Sequence, residues 1–467
     1  MPIILFFDIM NLSGRKNKKE HLKPMKIDGN KIRPEIFKIS AKLSEAGFEA
    51  YLVGGAVRDI IFGNEPKDYD ILTDAKCVDI SRIFRNVVPY GMKHGTVIVV
   101  MNKTPYDVTS YNEGDPAPGS LENDLAIRDF TINAMACDLK KLDLIDLFGG
   151  MEDYSKKEIK CVISPEARFA KDPLRILRAV RQAAKFGFDI ETGTFEKARE
   201  MSSSILASAP ERIMSELVKL FEIKNGRGEK YLRYLTDMNA WHEIFQKYYR
   251  SLIQPGCAEN FFEFGAGFYD AFRVIADKGY DIKLAYLIIF SLYRVSGNKV
   301  TVYEFKKLIK ALFDLKFSRP DFDKISALVF LTFYRLHNDS DASTDSRREV
   351  KVREMMAEHR ELTKQKIDIR EIFLLAGTFY EAVSEMENSR KYFEAIKTAD
   401  VVIKEKDPVY IEDLAINGND IMPLLGIGAG AKIGEALKYV QRAVIKDKTL
   451  NSKEILKELI LKKFNTA

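Results

Sequence analysis

Two aspartates one residue apart, Asp68 and Asp70, follow a glycine pair and an arginine in LVGGAVRDIIFGNEPKDYDILTD, Leu52 to Asp74. Gly54 and Gly55 let a backbone approach a phosphate where any Cβ would intrude. Arg58, just beyond them, can pair with a phosphate chain. In a strand, residues i and i+2 share a face, so Asp68 and Asp70 point the same way. Two carboxylates on one face beside a phosphate cradle suit Mg²⁺, which takes hard oxygen ligands and substrate phosphates. The bland alternative is a glycine turn leading into an exposed strand with solvated acids. The combination with Arg58 at this spacing argues against it.

The elements that must position these residues read as a small α/β unit. A helix begins at about Pro34, a strand covers Ala50 to Val53, a helix lies at Val57 and a strand covers Tyr69 to Leu72. GTVIVV, NKTP and YDVTS (Gly95 to Ser110) form a β-hairpin with a polar turn at Asn102 to Pro105. Asp107 falls in its second strand, between β-formers, and can add a third carboxylate to Asp68 and Asp70. After Ser155 strand signals nearly vanish. Leu174 to Lys185, Ile213 to Phe221 and Lys283 to Leu292 read as amphipathic or buried helices. HNDSDASTDS (His337 to Ser346) is the linker candidate, and basic helices such as RREVKVREMM follow it.

GGAVRD followed by DYD resembles motif A of the class II nucleotidyltransferases, the tRNA CCA-adding enzymes and bacterial poly(A) polymerases. The resemblance continues down the chain in the family's order. DLAIRDFTINAMACD (Asp124 to Asp138) is similar to the RRDFTINA motif. DLFGG (Asp146 to Gly150) resembles the head–neck junction, and RFAKDPLRILRAVRQAAKFGF (Arg168 to Phe188) the nucleobase-reading motif. APERIMSEL (Ala209 to Leu217) resembles the neck helix that supports it, and LAINGNDIMPLLGIGAG (Leu414 to Gly430) the tail of many bacterial CCA-adding enzymes.

The resemblance implies an α/β nucleotidyltransferase head, a mixed sheet with helices, followed by an all-α neck, body and tail in an elongated multi-domain chain. It places Mg²⁺ on Asp68 and Asp70, with Asp107 helping to activate an RNA 3′-hydroxyl. Gly54, Gly55 and Arg58 hold the triphosphate of CTP or ATP. Arg128, Asp129 and Asn133 frame the ribose and phosphates, and Asp172, Arg175 and Arg178 meet the base. The implied product is a tRNA extended at its 3′ end with release of pyrophosphate.

The base-reading pair also follows from physical chemistry. Pro173 fits the first turn of a helix, where its missing N–H costs nothing. Asp172 and Arg175 are then near neighbours at the helix start. Cytosine and adenine share an exocyclic amino donor beside a ring-nitrogen acceptor. An Asp accepts from the first and an Arg donates to the second. Uracil and guanine present the reverse pattern and leave both protein groups unpaired, a loss of about 1–3 kcal/mol each. A helix-capping Asp with an i, i+3 ion pair is the competing interpretation.

Three departures from the family pattern matter. Lys171 stands where Glu is usual before Asp172, and Ile127 where the first Arg of RRD is usual. Between Tyr111 and Asp124 the segment NEGDPAPGSLEN is short. Shortened loops here accompany relatives that add only the two cytidines, so CCA and CC addition both stay open. A poly(A) polymerase and a non-catalytic RNA-binding or nucleotide-sensing protein are the rival readings. All three acids, Asp68, Asp70 and Asp107, stand, which weighs against the second.

Composition agrees with a cytoplasmic RNA enzyme. The chain has 467 residues, enough for about three or four domains, and its 46% apolar content supports real cores. Cys77, Cys137, Cys161 and Cys257 show no CxxC or CxxH spacing, which argues against zinc and disulfides. No stretch reaches the ~18 apolar residues of a membrane helix. MPIILFFDIMNL is short and interrupted by Asp8, while MKIDGNKIRPE from Met25 reads as an ordinary beginning. The formal net charge is +5, and Ala431 to Ala467 carries nine Lys or Arg against four Asp or Glu. A basic helical tail suits an RNA backbone, and GIGAG (Gly426 to Gly430) can offer N–H groups to a phosphate. The expected division is an extension over 1–30, head over 31–150, neck over 151–230, body over 231–340 and basic, tRNA-binding tail over 341–467. Oligomeric state stays open.

Overall fold

The computed structural model describes residues 25–89, 91, 95–111, 119–224, 228–249, 264–296, 318–338, 348–363 and 367–464. The apolar amino-terminal stretch, residues 112–118 of the short segment, Cys257 and residues 339–346 of the linker candidate lie outside the described residues. The chain divides into two compact units, residues 1–168 with 189–194, and residues 169–188 with 195–467.

The first unit is built on a seven-stranded sheet. Its elements, in chain order, are α1 (Pro34–Glu45), β1 (Ala50–Val53), α2 (Gly55–Ile61), β2 (Asp70–Thr73), α3 (Cys77–Ile83), β3 (Val87–Val88), β4 (Thr96–Met101), β5 (Thr104–Ser110), α4 (Leu121–Ala126), β6 (Met135–Asp138), β7 (Leu144–Asp146) and α5 (Gly150–Ser155). A short β8 (Glu158–Ile159) pairs with β9 (Asp189–Ile190) apart from the main sheet. Strand order is β3-β4-β5-β2-β1-β6-β7. The β2–β5 pair is parallel and the others are antiparallel, so the sheet is mixed.

Strand alternation sorts this sheet into two faces. Leu52, Ile71, Val97 and Val108 point to one side, where Ile36, Ile39 and Leu43 of α1 and Val57 and Ile60 of α2 cover them. Val53, Leu72 and Ala136 point to the other, against Leu121 and Leu125 of α4. Asp70 and Asp107 belong to this second face by parity. The hairpin turn is tighter than expected: Asn102 and Lys103 alone turn the chain, with φ of 51° and 64°. Thr104 and Pro105 already pair with Met101 and Val100.

The second unit is helical. Within α6 (Pro165–Lys171) the chain passes from the first unit to the second, and α7 (Arg175–Phe186) follows. Next come α8 (Thr192–Glu200), α9 (Pro210–Phe221), α10 (Gly228–Asp237), α11 (Ala240–Tyr249), α12 (Ala266–Ile275) and α13 (Tyr280–Ser296). The series continues with α14 (Arg319–Asn338), α15 (Arg348–Thr363), α16 (Ile369–Ala382), α17 (Met386–Lys404), α18 (Gly418–Leu425), α19 (Ala431–Lys446) and α20 (Lys453–Phe464). His337 and Asn338, expected in a linker, close α14. The buried Lys283 of α13 donates to the carbonyls of Phe221 and Ile223 at 3.0 and 2.9 Å, closing the end of α9. Among α18, α19 and α20, Ile421, Val440, Val444, Leu456 and Ile460 form a core of their own. Among the described residues no helix is long and apolar enough to cross a membrane.

Candidate active site

At the end of β1 the chain must turn sharply into α2. Gly54 does this with φ 73° and ψ −134°, a conformation that a Cβ makes costly. Its N–H donates to the Met135 carbonyl at 3.1 Å, which pins the turn to β6. A Cβ placed on Gly54 would lie 2.8 Å from Nη1 of Arg128, 3.8 Å from the Asn133 carbonyl oxygen and 3.9 Å from Oδ2 of Asp70. The glycine turn, Arg128, Asn133 and Asp70 are therefore gathered at one place.

The two strands beside this turn set the acids. Parallel register puts Asp70 of β2 opposite Asp107 of β5, so both carboxylates rise from the same face. Asp68 lies two residues before β2, not within it. Tyr69 between them is buried and sends its hydroxyl to the Lys31 carbonyl at 3.2 Å, while the exposed Asp68 is near enough to act on Asp70 by charge. Burial holds the Asp70 carboxyl above its usual range, Arg128 opposes that shift, and the charges of Asp107, Asp68 and Asp124 add to it. A half-buried acid with three like charges around it is a site that a cation would relieve. Among the described residues no group of three His, Cys, Asp or Glu forms a ready cage. Mg²⁺ needs none, since it retains waters and substrate phosphates around one or two protein carboxylates.

The RDFTINA segment supplies the basic side. Ser120 caps α4 by accepting from the Asn123 N–H at 3.2 Å. Arg128, just past the helix, sends Nε and Nη2 to Oδ2 of Asp124, each at 2.9 Å. Asp129 accepts from the Phe130 N–H at 2.8 Å and from Nδ2 of Asn133 at 3.1 Å. Arg58, expected to pair with a phosphate chain, is buried and engaged by neighbours. It is 3% exposed, its Nε and Nη2 donate to Asp59 at 2.9 and 2.7 Å, and its Nη1 donates to Oδ1 of Asn133. DLFGG is a helix start: Asp146 accepts from the N–H groups of Gly150 and Met151 at 2.8 and 2.9 Å. A Cβ on Gly150 would collide with the Thr131 carbonyl oxygen.

In the second unit Asp172, Pro173 and Leu174 form a turn, and α7 starts only at Arg175. The Arg175 N–H donates to the Asp172 carbonyl at 3.0 Å, so the two side chains leave from adjacent corners of one turn. The Asp172 carboxylate accepts from Nη2 of Arg212 at 3.3 and 3.2 Å. Glu216 of α9, 6% exposed, accepts from Nε of Arg181 at 2.7 Å and of Arg178 at 3.5 Å. Arg181, Arg212 and Glu216 were not singled out from sequence. Arg181 sits three residues after Arg178 on one helix face, and that spacing was the available signal.

A mixed sheet carrying paired acids beside a glycine turn, ahead of a helical unit, is the architecture of a nucleotidyltransferase. Residues 50–160 match the model described as 'Poly A polymerase head domain', residues 187–250 'Probable RNA and SrmB-binding site of polymerase A', and residues 306–460 'tRNA nucleotidyltransferase domain 2 putative'. The CCA-adding enzyme of Streptococcus uberis is 30% identical over 438 residues, covering 91% of this chain and 95% of that one. That of Streptococcus mutans is 27% identical over 443 residues, covering 92% and 97%. The crystal structure of the Bacillus stearothermophilus CCA-adding enzyme in complex with CTP superposes with a TM-score of 0.63 at 25% identity, over 93% of this chain and 99% of that one. A Thermotoga maritima CCA-adding enzyme complexed with tRNA shares the fold, with a TM-score of 0.57 at 20% identity over 93% and 97%. The chain belongs to the CCA-adding enzyme family of tRNA nucleotidyltransferases.

Proposed function

We propose that this protein adds cytidine and adenosine to the 3′ end of tRNA from CTP and ATP, without a nucleic-acid template and with release of pyrophosphate, to build a CCA end. The observation that carries the reading is the register setting Asp70 beside Asp107, two residues after Asp68, under the Gly54 turn and Arg128. Similarity along nearly the whole length of CCA-adding enzymes supports it.

Asp68 and Asp70 would hold Mg²⁺, which when bound would supply charge stabilisation to the entering and departing oxygens. Asp107 accepts the proton of the RNA 3′-hydroxyl, and the oxygen attacks the α-phosphate. Gly54 and Gly55 let the triphosphate approach the backbone, and Arg128 neutralises it. Arg58 serves the same end by holding Asn133, which with Asp129 frames the ribose and phosphates. Asp172 and Arg175 choose the base by the donor–acceptor pattern common to cytosine and adenine. Glu216 keeps Arg178 and Arg181 extended along the same helix face.

In the second unit, the neck reaches to about residue 230, the body to about 340, and the tail beyond holds the RNA through the basic α19 and α20. Cys77, Cys137 and Cys161 are buried, and the scattered cysteine spacing, with no CxxC, fits a reducing, cytoplasmic setting. The short Tyr111–Asp124 segment is what keeps a second reading in view, a variant that adds two cytidines only.

The test offers Mg²⁺ and labelled CTP or ATP to tRNAs ending at the discriminator base, after two cytidines, or complete. Products are resolved to single nucleotides. One A on the CC end and two C on the bare end are expected. Two C and no A would replace the reading by its CC-adding variant. Long A runs on any RNA would replace it by a polymerase.

A further inference from the structure

Arg168 is 2% exposed and ranks among the largest wholly buried side chains of the described residues. Burying a guanidinium is costly unless its donors are used. One of them is: Nη1 donates to the Ala126 carbonyl at 2.9 Å. Ala126 is the last residue of α4, where the carbonyls have run out of helical N–H partners. Arg168 therefore caps this helix from forty-two residues away.

The capped end leads directly to chemistry. Two residues on is Arg128, chelated by Asp124 and lying over Gly54. The residues after it are gripped by the chain that precedes Arg168. The Val162 N–H donates to the Asp129 carbonyl at 3.2 Å, Phe130 bridges to Cys161, and the Thr131 N–H donates to the Lys160 carbonyl at 2.9 Å. Residues 160–168 thus brace residues 126–131 along their length. Four residues past Arg168 the same chain reaches Asp172.

We propose that Arg168 is a positioning residue for nucleotidyl transfer. It fixes the end of α4 so that Arg128 stays over the Gly54 turn, where the triphosphate lies in the function proposed above, on which this inference rests. Its guanidinium does not touch nucleotide; it acts through Arg128.

The test is a double-mutant cycle in the full-length protein, read by binding of CTP and ATP and by steady-state addition to tRNA. Arg168→Met is expected to weaken both nucleotides about tenfold, with kcat less affected, because a displaced binding group costs alignment. Arg168→Lys, which keeps the charge and loses the fork, is expected to fall between. In an Arg128→Ala background the same Arg168 change should cost less than about twofold, since coupled residues are not additive. Equal losses in both backgrounds, or lowered thermal stability with unchanged nucleotide affinity, would overturn the proposal and leave Arg168 a stabilising residue only. If Arg168→Met does not fold, Arg168→Lys carries the cycle to the same two outcomes. Nucleotide binding without transfer by the unaltered protein would refute the functional reading, while the binding cycle would still decide the role of Arg168.

Discussion

Replacing Gly54 by alanine separates what the glycine turn does for the fold from what it does for the site. At φ 73° and ψ −134° an L-residue is strained by about 1–3 kcal/mol. That cost falls on the stability of the first unit. The added methyl would also sit 2.8 Å from Nη1 of Arg128, so the guanidinium must retreat by about 0.6 Å to reach ordinary contact, part of the way to the 1 Å shift that can cost 10²-fold. Arg128 is flexible, so this movement costs the fold little. It costs the site more, and kcat/KM for CTP should fall about ten- to a hundredfold. Gly63→Ala is the control: φ is also positive, at +80°, yet nothing lies within 4 Å of its Cβ. Both variants should lose comparable stability by chemical denaturation, and only Gly54→Ala should lose catalysis in a single-nucleotide addition assay. Equal kcat/KM for the two variants, within about twofold, would refute the assignment of Gly54 and Arg128 to one site.

Three further outcomes follow from other parts of the molecule. Burial holds the Asp70 pKa above its unfolded value, so ionising this group opposes folding and that penalty grows as pH rises through the raised pKa. Asp70→Asn should stabilise the metal-free protein at neutral pH, with the gain fading below the usual carboxylate range; denaturation at several pH values reads this, and a gain independent of pH would contradict it. Arg175→Ala should relax base choice, raising UTP use relative to CTP by about tenfold or more, as expected for one lost hydrogen bond in a base-reading pair; unchanged discrimination against UTP removes Arg175 from base reading. In the tail, Asp407 accepts from Arg353 at 2.5 Å and from Lys448 at 2.8 Å, with the Arg353 and Asp407 side chains both buried. Asp407→Ala leaves the buried Arg353 with only Glu349 at 3.6 Å and the Ile445 carbonyl and should destabilise this region by about 2–3 kcal/mol, seen as earlier proteolysis around α19; an unchanged cleavage pattern would show that the pair contributes little.

Local signals carried much of this fold. β1 spans the residues its apolar β-formers mark, Ala50 to Val53, and α1 begins at Pro34 as its ring predicts. Partners distant in sequence were not legible in the same way. The parallel pairing of β2 with β5, which brings Asp107 to Asp70, depends on a sheet order that periodicity does not encode. Arg58 reads as a phosphate ligand, and the sequence around it is silent about its bond to Asn133, 75 residues away. The late start of α7 reflects the turn at Asp172–Leu174, which a proline near a helix start does not by itself locate. Arg168 and Glu216 are charged residues within amphipathic patterns, and only burial and partners reveal them as supports.

In the proposed function Asp68, Asp70 and Asp107 drive a transfer restricted to C and A. The most direct measurement offers the purified protein a tRNA lacking its CCA end and each of the four nucleoside triphosphates singly, with Mg²⁺ and then with EDTA, beside an Asp70→Ala variant that retains its fold. C addition from CTP is expected, with A addition once two cytidines are in place. U and G should be refused, and nothing should be added with EDTA or by Asp70→Ala. Transfer that persists in Asp70→Ala, or U added as readily as C, would contradict it.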